Sequence, residues 1–405
     1  MDHAGRDRRL PAVRYGQLIP SDPAHRGPRT QLRAAVGRPV RGDHRHRDLL
    51  RPPHPRAPGA GSALRPRPDL RASGEVSSVP TVDISGALAG DPGGMEAAAL
   101  AVDDACVTSG FFVVRGHGVP SALVDETMGM ARKFFRLPYE EKQRVAPPDF
   151  EDYRGFLGLD TTSLAATLGD DETPPDLCES FNVGRFDDLE IRARAYVPGA
   201  EATFCPNRWP DEPSGLRPLF ERYYAVMERL CMQMLPIFAR ALDLPDKWFE
   251  DKVRDHTALL LFNWYPPVAG ATRPGQLRRG AHTDYGAFTI VAAEQIPGLQ
   301  IRANGDWADV PMVPGGFVVN LGDLMARWTN DRWVSTLHRV VIPDGGDRGR
   351  DRMSVPFFFQ PSYRAVIETI PTTITPERPA RYEPVVSGEW IAAKSASMLE
   401  DDQDS

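Results

Sequence analysis

Cysteine is scarce in this 405-residue chain, which has four: Cys106, Cys178, Cys205 and Cys231. They are widely spaced and form no CxxC pair, which excludes a zinc ribbon and argues against a disulfide framework; a reduced, cytoplasmic protein is expected. No apolar run reaches the eighteen residues that a membrane-spanning helix needs, and the N-terminus lacks the apolar stretch of a signal peptide. The chain contains no internal repeat, no glycine-rich phosphate loop and no Ser- or Cys-based nucleophilic triad. Lysine is missing from the first 74 residues, although Lys133, Lys142, Lys247 and Lys252 follow. Histidine is also sparse, with nine in all, and five of those fall in the same lysine-free segment.

What is present there is arginine. Residues 1–74 hold 16 Arg against 6 Asp and carry a formal charge of +10, whereas the remainder carries −17. Eleven of the 39 prolines lie in the same stretch. With no sustained period of 2 or 3.6, residues 1–75 are read as a disordered Arg/Pro-rich leader that cannot bury enough apolar surface to offset its ordering entropy. Arg, Pro, Gly and Ala without Lys is also what GC-rich DNA yields when translated out of frame, so a misannotated start is an alternative origin for it. An Arg-rich arm could attract nucleic acid, but the −17 body would repel phosphates.

From Val79 the patterning becomes regular. Val79–Ile84 alternates like a short strand, 93–109 reads as a helix ending at Gly110, and Phe111–Val114 as an apolar strand. Residues 121–136 form a second amphipathic helix. The clearest helix is 215–243, with Leu216, Phe220, Tyr223, Met227, Leu230, Met234, Ile237 and Ala241 on one face and Pro236 inside. A short helix follows at 245–253. Residues 149–212, rich in Pro, Asp and Gly, read as irregular.

After His256 the period shortens. Strands are expected at 259–265 and at about 286–293, 298–302, 307–310, 316–320, 334–342 and 353–360, separated by Gly- and Asn-rich turns. Many short strands with such punctuation indicate a β-sandwich or jelly roll. The organisation expected is a helical region with short strands over 76–250, a β core over 255–375 and a C-terminal tail over 376–405.

Four histidines remain outside the leader: His117, His256, His282 and His338. His117 lies in a turn and His256 opens a buried strand, so both are assigned structural roles. His282 and Asp284 are two apart and can reach one ion from the same face of an extended chain. His338, on a separate strand, would complete two histidines and one carboxylate, the facial set that leaves positions of non-haem iron open. Zinc is the rival metal. Fourteen residues beyond His338, Arg352 and Ser354 again share a strand face. A guanidinium and a hydroxyl converging in an apolar barrel call for an anionic partner, and a carboxylate gripped in bidentate fashion fits.

Together these residues resemble the isopenicillin N synthase-like family of 2-oxoglutarate- and Fe(II)-dependent dioxygenases. The likeness extends over about residues 79–375. His282-x-Asp284, His338 and Arg352-x-Ser354 match its iron and cosubstrate motifs in order and spacing. Asn263-Trp264-Tyr265-Pro266 matches its N-x-Y-P strand. Gly110-Phe111-Phe112 through His117-Gly118 looks like its N-terminal segment, with Gly116 where the family has Asn. The resemblance implies an α+β, mainly β fold: a double-stranded β-helix (jelly-roll) core with supporting N-terminal helices. It implies iron on His282, Asp284 and His338, and 2-oxoglutarate on Arg352, Ser354 and Tyr265, with Asn263 nearby. It also implies hydroxylation of a small molecule, with O2 consumed and succinate and CO2 released.

Within that fold, an oxidase or cyclase that dispenses with 2-oxoglutarate is the alternative, since Arg352-x-Ser354 could hold a substrate carboxylate instead. A small-molecule substrate of bacterial secondary, antibiotic-type metabolism and a monomeric protein are expected. The substrate pocket is sought between the core mouth and 149–212, at Tyr153, Arg154, Glu179 and Phe181, with Arg327 and Trp328 near the turn before His338.

Overall fold

The structure is a computed structural model that describes residues 79–148, 152–159, 161, 163–165 and 174–396. The leader expected over 1–75 and the last nine residues of the tail lie outside the described residues.

The chain opens with β1 (Thr81–Asp83), α1 (Ser85–Leu88), α2 (Pro92–Thr108) and β2 (Phe111–Arg115). Asp91 caps α2 by accepting from the Gly93 and Gly94 amides, and Pro92 supplies a preset φ at the first helical position. Gly110 ends the turn after α2 at φ +66°, where a Cβ would stand 2.1 Å from the Val334 carbonyl oxygen, so no other residue fits. Next come α3 (Ser121–Phe135), α4 (Tyr139–Gln143), β3 (Gly155–Leu157), β4 (Glu179–Val183), α5 (Leu189–Ala195), α6 (Leu216–Ala241) and α7 (Glu250–Val253). All eight apolar positions anticipated on α6 are buried, and the helix runs through Pro236.

The C-terminal half holds β5 (Leu259–Tyr265), β6 (Arg279–His282), β7 (Phe288–Ala293), β8 (Leu299–Ala303), β9 (Asp306–Asp309), β10 (Phe317–Leu321), α8 (Asp323–Trp328), β11 (His338–Val340) and β12 (Arg352–Phe359). The small pair β13 (Val366–Ile367) and β14 (Val385–Val386) and the helix α9 (Ser387–Ala396) follow. Eight strands form one sheet in the order β1-β2-β10-β7-β12-β5-β4-β3, antiparallel except for β1–β2. Four form a second sheet, β6-β11-β8-β9. This is a jelly-roll core with helices banked against it.

Strand parity explains why β5 and β12 read as nearly unbroken apolar runs. One face, with Leu260, Phe262, Val355 and Phe357, packs into the core shared with α6, where Phe262 stacks on Phe220 at 3.8 Å. The other face, with Leu259, Leu261, Asn263, Tyr265, Arg352, Ser354, Pro356 and Phe358, lines an interior cavity. Both faces are covered, so alternation between apolar and polar disappears.

Three expectations need correction. Residues 149–212 are not irregular throughout: β3 and β4 extend the large sheet beyond β5. Their polar residues Glu179, Ser180 and Asn182 concealed the strand, because tertiary pairing overrode local composition. The strand expected at 334–342 shrinks to β11; Val334 donates to the Cys106 carbonyl and Thr336 to that of Ser109, which diverts the preceding backbone from the sheet. The helix expected at 245–253 is helical only over α7.

Candidate functional site: a two-histidine, one-carboxylate centre

His282 ends β6 and sits directly across from His338 of β11 in the register of the small sheet. That pairing brings the two imidazoles to 4.2 Å between ring centres. Each ring is turned by a carbonyl two residues upstream: Nδ1 of His282 bonds the Gly280 oxygen at 2.8 Å and Nδ1 of His338 that of Thr336 at 3.1 Å. A carbonyl only accepts, so Nδ1 carries the proton and Nε2 presents its lone pair.

Both Nε2 atoms face Asp284 Oδ1, at 3.8 and 3.7 Å. The other carboxylate oxygen, Oδ2, is occupied: Thr289 Oγ1 donates to it at 2.5 Å and Asn320 Nδ2 at 2.7 Å. Three ligand atoms therefore converge within 4.8 Å of one another, each oriented by a second hydrogen bond on its far side. Burial, reinforced by the neighbouring His338, holds His282 well below the usual histidine range, so it stays neutral, as metal ligation requires. The donor set, two imidazoles and one carboxylate, would suit Fe(II).

At the other strand pair, Arg352 lies opposite Tyr265 and Ser354 opposite Asn263. Ser354 Oγ and the Tyr265 hydroxyl are 3.3 Å apart. Arg352 is 3% exposed, and its side chain makes one hydrogen bond, from Nε to the Ile296 carbonyl at 3.2 Å. Its Nη1 is buried with no partner among the described residues. A desolvated guanidinium without a counter-ion is costly, and a dicarboxylate such as 2-oxoglutarate would relieve it. Burial also raises the Tyr265 hydroxyl, so it remains a donor. Asn263 is turned differently: its Oδ1 accepts from Arg279 at 3.4 Å, and Arg279 lies 3.6 Å from the buried Asp176.

Both groups open into one cavity of about 610 Å³, which Tyr153 and Arg154 also line. Glu179, Phe181, Arg327 and Trp328 do not. On β4 it is Ser180 and Asn182 that face the cavity, so Glu179 and Phe181 face away. Glu179 pairs with buried Lys142 at 2.5 Å, and Phe181 joins the core. Trp328 packs on Trp248 and Phe249. Arg327 lies between the rings of Tyr382 and Trp390 and donates to the Glu383 carbonyl, tying down the C-terminal segment rather than the pocket.

Sequence reasoning missed Thr289 and Asn320, although a lone Asn in the apolar run Phe317–Leu321 was a visible signal. It also missed α9, whose Ile391, Ala392 and Ser395 close one side of the cavity. His117 fixes a turn, as expected: Nε2 bonds the Gly315 carbonyl and Nδ1 accepts from the Val119 amide. His256 is fully buried against Glu228 at 2.6 Å. Among the described residues, no helix is long and apolar enough to cross a membrane.

Comparison with known proteins agrees with this geometry. Residues 79–212 match the family model described as non-haem dioxygenase in morphine synthesis N-terminal, and 256–361 match that of the 2OG-Fe(II) oxygenase superfamily. The chain is 34% identical to validamycin A dioxygenase of Streptomyces hygroscopicus subsp. limoneus, over 80% of this chain and 88% of that protein. It is 33% identical to a homoarginine-6-hydroxylase of Oryza sativa subsp. japonica, over 72% and 87%. A full-length Neurospora crassa protein solved with alpha-KG and thymine superposes with a TM-score of 0.70 at 28% identity, over 80% of this chain and 98% of that one. The chain belongs to the 2OG-Fe(II) oxygenase superfamily, as a dioxygenase using Fe(II) and 2-oxoglutarate.

Proposed function

We propose that this protein hydroxylates a small organic molecule, with iron held by His282, Asp284 and His338 and 2-oxoglutarate by Arg352, Ser354 and Tyr265. The observation that carries the assignment is the buried, unpaired Arg352 guanidinium opening into the same cavity as the three converging ligand atoms. Bound Fe(II) with 2-oxoglutarate and O2 supplies an oxidation that converts the cosubstrate to succinate and CO2 and hydroxylates a C–H bond. The side chains do the rest. Thr289 and Asn320 hold Asp284 so that one oxygen faces the metal, while Arg352 and Ser354 orient the distal carboxylate. The apolar walls Leu259, Leu261, Val291 and Phe358 keep water from the reacting carbon. Asn263 contributes by positioning Arg279.

The substrate is proposed to belong to bacterial secondary metabolism of the antibiotic type. Support comes from the validamycin A dioxygenase of Streptomyces; plant and fungal relatives such as the homoarginine hydroxylase show how widely substrates vary on this scaffold. The test is a screen of candidate metabolites with anaerobically Fe(II)-loaded protein, scored by succinate formed only when the metabolite is present. Product formation without any 2-oxoglutarate requirement would reject the cosubstrate role of Arg352 and favour a ring-closing oxidase.

A further inference from the structure

Arg352 is not the only under-used guanidinium on the cavity wall. Arg154, immediately before β3, is 5% exposed. It makes one side-chain hydrogen bond, from Nη2 to the Thr203 carbonyl at 3.0 Å. Nε is buried without a partner, and the side chain forms no ion pair among the described residues. The nearby carboxylates are engaged elsewhere: Asp152 pairs with Arg208 at 2.6 Å, and Glu201 accepts from the Tyr196 hydroxyl and the Gly199 amide. The guanidinium lies against Gly184, where a Cβ would stand 2.7 Å from Nε and Nη2. Gly184 is itself held by Asn207 through its amide and its carbonyl. The group is therefore pinned in place, with part of its hydrogen-bonding capacity unspent.

A second unsatisfied group stands beside it. Asn182 of β4 is 2% exposed, faces the cavity and leaves Oδ1 without a partner among the described residues. Its cross-strand partner is Gly155, the residue following Arg154. The unmet atom is an acceptor as placed, and turning the amide end for end would bring the donor Nδ2 to that position. If Nδ2 faces inward, Arg154 and Asn182 together present adjacent donors. Such a pair suits a planar carboxylate, and a buried guanidinium supplies the countercharge that a desolvated anion needs.

This second anionic subsite is distinct from the first. In the large sheet, β12 is followed by β5, β4 and β3. Three strand spacings, roughly 14 Å, separate the strand of Arg352 from that of Gly155. A single 2-oxoglutarate on Arg352 and the metal would not extend that far. Leu157, Leu164, Leu259 and Leu261 give the wall apolar surface, alongside the polar Ser180 and Asn263.

We propose that Arg154 and Asn182 anchor a carboxylate on the substrate, so that the enzyme acts on an organic acid with an apolar body. This rests on the oxygenase reading above and adds to it the class of substrate. The probes are matched acid and amide pairs, octanoate with octanamide and 4-phenylbutyrate with 4-phenylbutyramide. They are titrated by calorimetry under argon into the protein loaded with Fe(II) and saturating 2-oxoglutarate. At least one acid should bind at least tenfold more tightly than its amide. Arg154→Met should erase that preference, Arg154→Lys should retain part of it, and Asn182→Asp should reverse it in favour of the amide. Each variant is first titrated with 2-oxoglutarate alone; unchanged affinity there reports an intact fold and an intact Arg352 end. Equal binding of acids and amides, no binding of any acid, or an acid preference that survives Arg154→Met would overturn the carboxylate anchor. Failure of the parent protein to bind 2-oxoglutarate would instead overturn the oxygenase reading.

Discussion

The two ends of the cavity are built on different plans. At the proposed metal end each side chain is braced from behind, His282 and His338 by carbonyls two residues upstream and Asp284 by Thr289 and Asn320. These three side chains come from β6, the turn after it and β11, neighbouring pieces of one short sheet. The proposed substrate end is assembled from more scattered segments. Its wall draws on residues near 153, 200, 260 and 391, contributed by a sheet edge, a loop, a central strand and the C-terminal helix. A metal tolerates little variation in ligand position, so the proposed cage is held by strand register and by a second hydrogen bond on each side chain. Substrate walls need only shape and a few charges, so distant segments can supply them and can change independently.

Removing a metal ligand should break the contrast most completely. His282→Ala or His338→Ala is expected to abolish stoichiometric Fe(II) binding and turnover, because a three-ligand site has none to spare. Anaerobic iron titration checks it, and full activity in either variant would dismiss the triad.

The next effect should fall on the cosubstrate alone. Arg352→Lys keeps the charge and loses the planar fork, which costs about 1.5–3 kcal/mol, or roughly ten- to a hundredfold in apparent 2-oxoglutarate affinity. Iron binding should hardly change. An unaltered 2-oxoglutarate dependence would remove Arg352 from that role.

Asn320→Leu probes the bracing itself. With one of two donors to Asp284 Oδ2 gone, Fe(II) affinity should fall by about tenfold, the lower end of what outer-shell losses cost. Competition with a chelator reads this directly, and no change would mean that Thr289 suffices.

The smallest effect is expected at the opposite end. Trp390 Nε1 donates to the Tyr285 carbonyl at 3.0 Å and helps hold α9 over the cavity. Trp390→Phe forfeits that bond, worth about 0.5–1.5 kcal/mol. The substrate KM should rise a few-fold while the 2-oxoglutarate and iron constants stay put. A change in iron binding instead would show that the two ends are not independent.

Legibility from sequence followed the same division. The convergence of His282, Asp284 and His338 could be anticipated because two-residue spacing on an extended chain carries face information, and the shared face of Arg352 and Ser354 followed from the same parity. Glu179 and Phe181 were misplaced because no strand was recognised at 179–183. Without knowing that strand, nothing indicates that Ser180 and Asn182 take the inner face. Arg327 and Trp328 lie on α8, a six-residue helix too short for periodicity to reveal. The pairing of Glu179 with Lys142 joins residues 37 apart, which no local pattern encodes.

The sequence by itself determined the helix and strand periods, the two-residue spacings of His282 with Asp284 and of Arg352 with Ser354, and the turn glycines, since each depends on backbone geometry within a few residues. Tertiary structure alone decided which face of β4 meets the cavity, that α9 closes it, and that Arg154 and Arg352 have no counter-ion among the described residues. Burial and pairing are properties of what a side chain is packed against, and that neighbour lies elsewhere in the chain.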